Sequence, residues 1–391
     1  MLQEHSRVPN APHLKIGLVL DDSLDRPDGV QQYVLTIGEW LRSRGHDVHY
    51  LVSSTYREDA EGIHSLARNI GVRFNGNNMR MPLPASPFYI RQLLKREHFD
   101  VLHVQMPYSP FLAARIINAA SDDTAVVGTF HIVPHRRYVG IASRVLAAMT
   151  IRSLHRFDAV MSASAPAQSF ARTAFGIRSE VIPNAVRVTD FRHAEPFAKR
   201  GAALQVLFMG RLVERKGCMI LLQASRLLRD DPSAPDFQVT VCGRGPLSVD
   251  LEAYVRDNQL QDIVTFKGFV PEGEKPRYFA SADVAVFPSN GGESFGIVLV
   301  EAMASGRSAV LAGDNVGYRS ILGDCPGNVL FDANDPRALA AALREVMENA
   351  AMRQHIATWQ SRHARSFDVG LIGPRILRLY ASALRERRNV R

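Results

Sequence analysis

Short apolar runs alternate with helix-length amphipathic stretches along the whole chain, in two successive series. The first series of candidate strands is 15–20, 47–53, 100–104, 125–129 and 158–162. The second is 204–209, 237–242, 263–266, 283–287 and 309–312. Stretches 29–45, 57–70, 88–98, 217–230 and 294–304 read as amphipathic helices. Alternation on this scale means parallel sheets with crossover helices. Between the two series, Pro183-Asn184 opens an irregular, charged stretch that runs to Gly201. The expected architecture is therefore α/β, with two doubly wound domains facing a central cleft. A chain of 391 residues also exceeds the roughly 250–300 at which a single core stops growing. Ligands of such sheets bind outside the carboxyl ends of the strands, where loops run into helix N-termini.

Composition narrows the possible functions without choosing one. With 46% hydrophobic and 22% charged residues, disordered, collagen-like and coiled-coil classes are excluded. The net charge of +8 is mild for this length and permits an anionic partner: nucleic acid, a phosphate ligand or a membrane surface. Basic residues do not interleave with aromatics on one strand face, so nucleic acid is not an expected partner. Cys218, Cys242 and Cys325 are an odd, sparse set without CxxC spacing. They argue against a disulfide framework or a zinc site and suit a reducing cytosol. The apolar run Ile16–Leu20 meets Asp21 and Asp22 at once, too soon for a signal segment, and reads as a buried strand. Residues 1–13 are expected to be a flexible tail.

Three loops that follow strands carry glycine or cations ahead of a helix. In Arg26-Pro27-Asp28-Gly29-Val30-Gln31-Gln32, Gly29 opens a helix whose first N–H groups form an anion site. The plainer reading is a capped helix start with Asp28 as N-cap. In Gly210-Arg211-Leu212-Val213-Glu214-Arg215-Lys216-Gly217, Arg211 and Lys216 flank a turn. Arg offers a planar fork to phosphate oxygens and Lys a point charge, though a solvated charged loop would look alike. In Pro288-Ser289-Asn290-Gly291-Gly292-Glu293-Ser294-Phe295-Gly296, a helix is expected to start near Ser294. Glu293 would lie at its mouth and Glu301 two turns inside, both facing one pocket. There the carboxylates can accept bonds from sugar or ribose hydroxyls, while glycine amides and the helix dipole hold a diphosphate. A dipole-stabilising Glu293 and a solvated Glu301 are the alternative. Cys242-Gly243-Arg244-Gly245-Pro246 offers GxG after a strand, but position 247 is Leu and no acid follows about 20 residues on. A nicotinamide dehydrogenase is thereby disfavoured.

Together these loops resemble the glycosyltransferase family 4 enzymes of GT-B fold, over roughly residues 15–385. The resemblance rests on Glu293-x7-Glu301, on Gly210-Arg211 with Lys216-Gly217, and on Ile182-Pro183-Asn184. Within the family, the nearest resemblance is to the phosphatidylinositol mannosyltransferases. It is carried by Pro27-Asp28-Gly29-Val30-Gln31, Asn75-Gly76 with Arg80, Thr129-Phe130-His131 and the 291–304 run. The resemblance implies two Rossmann-like domains. Residues 14–190 would form the acceptor-side domain and 191–370 the nucleotide-sugar domain. A helix over 371–391 would cross back to the first domain. It also implies hexosyl transfer from a nucleotide-sugar, GDP-mannose favoured, with retention of configuration and no metal or other cofactor. No Asp-x-Asp motif stands in a strand-end loop, and cationic groups can stabilise the departing diphosphate instead. By analogy His131, Arg211, Lys216 and Glu293 are catalytic. Gly29, Gly210, Gly292, Ser294, Phe295, Gly296 and Glu301 bind the donor, with Glu301 on the ribose.

The same resemblance places a lipid or glycolipid acceptor between Gln31, Arg80, Tyr108, Arg136 and the 105–110 loop. Where the family usually carries His-Glu-Pro-Asn, this loop reads Gln105-Met106-Pro107-Tyr108. An aromatic face at 108 favours stacking over hydrogen bonding. A related anionic lipid or glycolipid is thus expected as readily as phosphatidylinositol. From 80 to 156, Lys and Arg outnumber Asp and Glu ten to four. On stretch 88–98, Arg91, Lys95 and His98 share one face, away from Ile90, Leu93 and Leu94. That pattern suits peripheral docking on an anionic membrane at its cytoplasmic side. Three other functions fit the same chain. They are a UDP-sugar enzyme acting on diacylglycerol or a polysaccharide precursor, a nucleotide-sugar epimerase, and a binding subunit without turnover.

Overall fold

Lys15–Leu20 is buried almost throughout, as suits a central strand, and it pairs in parallel with a neighbour on each side. The computed structural model describes residues 13–25, 28–57, 59–74, 77–82, 85–107, 109–131, 149–198 and 201–389, without the side chains of 69–82. The tail 1–12 lies outside the described residues. In chain order the strands of the first half are β1 Lys15–Leu20, β2 Asp47–Val52, β3 Ile63–Ser65, β4 Asn69–Phe74, β5 Asn77–Pro82, β6 Val101–Gln105, β7 Ala125–Phe130, β8 Ala159–Ser162 and β9 Glu180–Val181. The second half holds β10 Leu204–Met209, β11 Phe237–Cys242, β12 Val264–Gly268, β13 Val284–Phe287, β14 Ala309–Gly313 and β15 Leu330–Phe331.

The first sheet has the order β3-β2-β1-β6-β7-β8-β9 and the second β12-β11-β10-β13-β14-β15. Every pairing within them is parallel. Both orders reverse at one point, between β1 and β6 and between β10 and β13. Crevices open at such switch points, and the loops after β1, β10 and β13 all start there. β4 and β5 form a separate antiparallel hairpin. The expected helix over 57–70 does not form. Gly62 turns the chain at φ 68°, where an added Cβ would lie 2.9 Å from the Val48 carbonyl oxygen, and Ile63–Ser65 then extends the sheet edge beside β2.

Helix Val369–Asn389 packs on helix Gly29–Ser43 and on β7 and β8, so the chain's end lies against the first sheet. Trp40 lies so close to Gly373 that a Cβ there would meet its ring at 2.5 Å. Tyr380, fully buried, reaches His103 of β6 with its hydroxyl 2.7 Å from Nδ1. Among the described residues, no helix is long and apolar enough to cross a membrane.

Candidate active site

The loops after β1, β7, β10 and β13 converge on a cavity of about 640 Å³ between the sheets. The first half contributes Asp28, Gly29, His131 and Asn184. The second contributes Gly210, Arg211, Arg215, Lys216, Arg244, Lys275, Gly292, Glu293, Ser294, Phe295, Gly296 and Glu301. All eleven residues expected to be catalytic or to bind the donor thus border one space. The turn that carries the cations is fixed by Gly217 at φ 70°. A Cβ at that position would fall 2.0 Å from the Pro288 carbonyl oxygen, so only a glycine there lets the 210–217 loop approach the 288–296 loop this closely.

Glu293 is 8% exposed and held by Arg215 at 2.5 Å, Lys216 at 2.8 Å and the Ser289 hydroxyl at 3.0 Å. Burial pushes its carboxyl up. The two cations and the hydrogen bonds from Lys216 and Ser289 outweigh that, and the net shift is downward. Glu301 is the opposite case. Among the described residues its nearby cation is Lys275, 3.9 Å away and also bound to Glu272 at 2.8 Å. Burial raises its carboxyl, Lys275 only partly offsets this, and Oε2 has no hydrogen-bond partner. A buried, unpaired carboxylate oxygen beside a cavity fits a ligand that brings its own donor, as a ribose hydroxyl does.

The expected depth of Glu301 needs correction. The helix begins at Ile297, not near Ser294, because Gly296 takes a left-handed conformation at the N-cap. Glu301 therefore lies one turn inside, and Ser294 and Phe295 belong to the loop. Asp28 occupies the N-cap position of helix Gly29–Ser43 but makes no side-chain cap bond. Its carboxylate faces Arg211 across the cleft at 3.8 Å.

His131 is 4% exposed, and burial pushes its imidazole down to about 3, so it is neutral at physiological pH. Asn184 opposes this shift, yet neither His131 Nδ1 nor Asn184 Oδ1 makes a well-formed hydrogen bond. The His131 carbonyl accepts a bond from the Ser294 hydroxyl, which ties the two sheets together at the cleft. Gln32 and Glu272 make a second such tie at 2.6 Å.

Of the four acceptor residues, two fall among those described. Gln31 is 4% exposed and donates to Asp22 at 3.2 Å, rather than bordering the cavity. Arg80 stands on strand β5, within the hairpin. Tyr108 and Arg136 lie outside the described residues. The Cys242–Pro246 loop, unattractive as a dinucleotide site, lines the cavity instead. It is bonded to the cationic loop through Gly210 N–H to Cys242 O at 3.0 Å and Leu212 N–H to Arg244 O at 3.1 Å. Arg215 and Lys275 were not legible as site residues, and Gln105 was expected only as part of the acceptor loop. Arg215 and Lys275 pair with carboxylates distant in sequence, and Gln105 meets His131 from another strand. Among the described residues, His49, His64 and Glu97 come together as metal ligands do, away from the cavity. There Lys15 already supplies a cation to Glu97 at 2.6 Å, and the two imidazoles bond each other at 2.8 Å.

Two doubly wound parallel sheets that face each other across a cation-lined cleft define the GT-B class. The comparisons narrow this further. Residues 27–190 match the family described as Glycosyltransferase Family 4, and 191–360 match Glycosyl transferases group 1. The chain is 31% identical over 374 residues to the phosphatidyl-myo-inositol mannosyltransferase of Mycolicibacterium smegmatis, covering 94% of this chain and 93% of that one. It is 30% identical over 387 residues to the protein of the same name from Propionibacterium freudenreichii, covering 95% of each. Among solved structures, Anabaena HepE in complex with UDP and glucose superposes with a TM-score of 0.74 at 18% identity, covering 95% of this chain and all of that one. WaaG, a glycosyltransferase involved in lipopolysaccharide biosynthesis, gives 0.69 at 16% identity, covering 93% of this chain and 98% of that one. The chain belongs to glycosyltransferase family 4 and is a glycosyltransferase.

Glu293 and Glu301 differ enough in surroundings to predict different losses. Glu293→Gln should lower sugar transfer, since its charge organises Arg215 and Lys216 at the cavity. Glu301→Gln should mainly weaken nucleotide binding. Calorimetric titration of the free nucleotide into both variants decides this, and equal losses of affinity would end the division of roles.

Proposed function

We propose that this enzyme transfers a mannosyl group from GDP-mannose to an inositol-bearing lipid at an anionic membrane face, with retention of configuration and without a metal. The observation that carries the transfer is the cavity itself, where Arg211, Arg215 and Lys216 meet Glu293, Glu301 and His131. The barrier is departure of a nucleotide diphosphate while positive charge grows on the sugar. Positioned cations act where that negative charge develops. Arg211 is reachable at the cleft. Lys216, held by Glu293 at 2.8 Å, borders the same cavity within reach of a diphosphate. The choice of acceptor is supported by the relatives, which are named for phosphatidyl-myo-inositol.

Membrane contact is supported by helix Pro87–Glu97. Its apolar Ile90 and Leu93 are buried within the first domain, so that face is not offered to lipid. What it offers is Phe88 and Tyr89, 67% and 66% exposed, beside the exposed Arg91, Lys95 and Arg96. Aromatic rings next to cations suit the interface of an anionic bilayer.

One assay tests the whole reading. GDP-mannose and a UDP-sugar are offered separately with vesicles containing phosphatidylinositol, phosphatidylglycerol, diacylglycerol or a glycosyl-diacylglycerol. The expected result is an α-mannosyl product on phosphatidylinositol, unaffected by EDTA, with rates that rise with anionic lipid and fall with salt. Equal use of phosphatidylglycerol would show that Tyr108 has broadened the site. Transfer to soluble sugars alone would remove the lipid acceptor, and donor conversion without an acceptor would point to an epimerase.

A further inference from the structure

His131 borders the cavity with one ring nitrogen engaged and the other bare of partners. Nε2 is 2.7 Å from Gln105 Oε1, whereas Nδ1 is buried and makes no hydrogen bond. Which nitrogen carries the proton follows from Gln105. Its amide Nε2 makes a long contact, 3.4 Å, to the backbone carbonyl of His103. A carbonyl only accepts, so the NH2 end of the amide faces His103 and the oxygen end faces His131. The Gln105 oxygen also only accepts, so His131 Nε2 must donate. A neutral imidazole has a single N–H, and Nδ1 is then a lone pair.

That assignment leaves two acceptors without donors at the cavity, His131 Nδ1 and Asn184 Oδ1. In the other tautomer Nδ1–H would face the Asn184 side, but the lone pairs of Nε2 and the Gln105 oxygen would then confront each other at 2.7 Å. Gln105 therefore disfavours that tautomer. An unpaired buried acceptor is costly, and the cost is relieved when a ligand hydroxyl donates to it.

We propose that Gln105 is a positioning residue for sugar transfer: it fixes His131 in the Nε2–H tautomer, so that Nδ1 accepts a hydrogen bond from a substrate hydroxyl. The inference rests on the reading of the cavity as the sugar-transfer site. Gln105 stays remote from the substrate and acts only through the imidazole. The same strand is pinned from behind, where His103 is bonded to Thr129 at 2.5 Å and to Tyr380 of the C-terminal helix at 2.7 Å.

The experiment is long-range proton–nitrogen NMR of the ligand-free protein labelled with 15N-histidine, with His131 assigned by the loss of its signals in His131→Gln. The wild type should show a protonated Nε2 and an unprotonated Nδ1 at neutral pH. Gln105→Met keeps the length of the side chain and removes the acceptor. It should give mixed tautomers and about a tenfold lower kcat, with nucleotide affinity unchanged. Gln105→Glu retains an acceptor and should restore the single tautomer. A protonated Nδ1 in the wild type, or a Gln105→Met protein with unaltered tautomer and kcat, would overturn the proposal. A protein that shows the tautomer yet transfers sugar from no nucleotide donor would overturn the function proposed above and the catalytic half of this inference, while the resonances still decide the tautomer.

Discussion

Arg211→Ala should lower kcat by about 10²–10³ and leave folding stability almost untouched. The side chain is 39% exposed and its ion pair to Asp28 spans 3.8 Å, so the resting protein gains little from it. A group that adds little to the ground state and faces the position of the leaving diphosphate affects chiefly the transition state. Lys216→Ala should cost a similar factor in kcat for the same reason, with a difference that separates the two. Lys216 is one of two cations on the buried Glu293 carboxylate. Its loss leaves Arg215 alone to neutralise that charge, and stability should fall by roughly 1–3 kcal/mol. Turnover at saturating donor, measured beside urea unfolding of each variant, checks both statements. Near-normal turnover in both proteins would mean that the diphosphate binds elsewhere in the cleft.

The contrast between these cations also shows what a sequence can and cannot reveal. The long buried strands were legible almost to the residue, as with Lys15–Leu20 and Leu204–Met209, because continuous apolar runs between turn residues have few other solutions, whereas β3, the β4–β5 hairpin, β9 and β15 were not expected. The strand-end loops were legible for the same reason: once the strands are placed, the loops that face the cleft are known. The stretch 57–70 misled because Ile63, Leu66 and Ile70 follow helical spacing, whereas the turn at Gly62 and the open edge of β2 favour a short strand. Periodicity is a weak guide where only three residues pair. Arg215 was hidden by its own neighbours, since in a run of charges nothing local tells which one turns inward. The choice was made by Glu293, 78 residues away, whose buried carboxylate needs more than one partner. Gln105 stood in the expected acceptor loop, but its role depends on the imidazole of His131, just past the end of the next strand.

Burial of two neutral histidines should make this protein lose stability in mild acid. His103 and His131 are both pushed down to about 3 by burial, against 6.5 for an ordinary imidazole. A histidine lowered on folding binds fewer protons in the native state than in the unfolded one. Its contribution is fully present above about pH 6.5 and is lost as pH falls from there toward 3. Between pH 7 and pH 5 each such group costs about 2 kcal/mol of stability. His46, His64 and His363 are also lowered by burial and act in the same direction. Asp21 opposes them. Burial raises its carboxyl to about 6, so the native state takes up a proton over this range and regains about 1 kcal/mol. The carboxylates held low by ion pairs, such as Glu97 at about 2, are lost only at more acidic pH and do not enter this window. His103, His131 and Asp21 together should therefore lower the unfolding free energy by roughly 2–3 kcal/mol from pH 7 to pH 5. Urea unfolding at the two pH values measures it, and His131→Gln should shrink the drop by about 2 kcal/mol by removing one titrating imidazole. A protein equally stable at both pH values would mean that water reaches these imidazoles, and with it the bare Nδ1 that the cavity is argued to hold for a substrate hydroxyl.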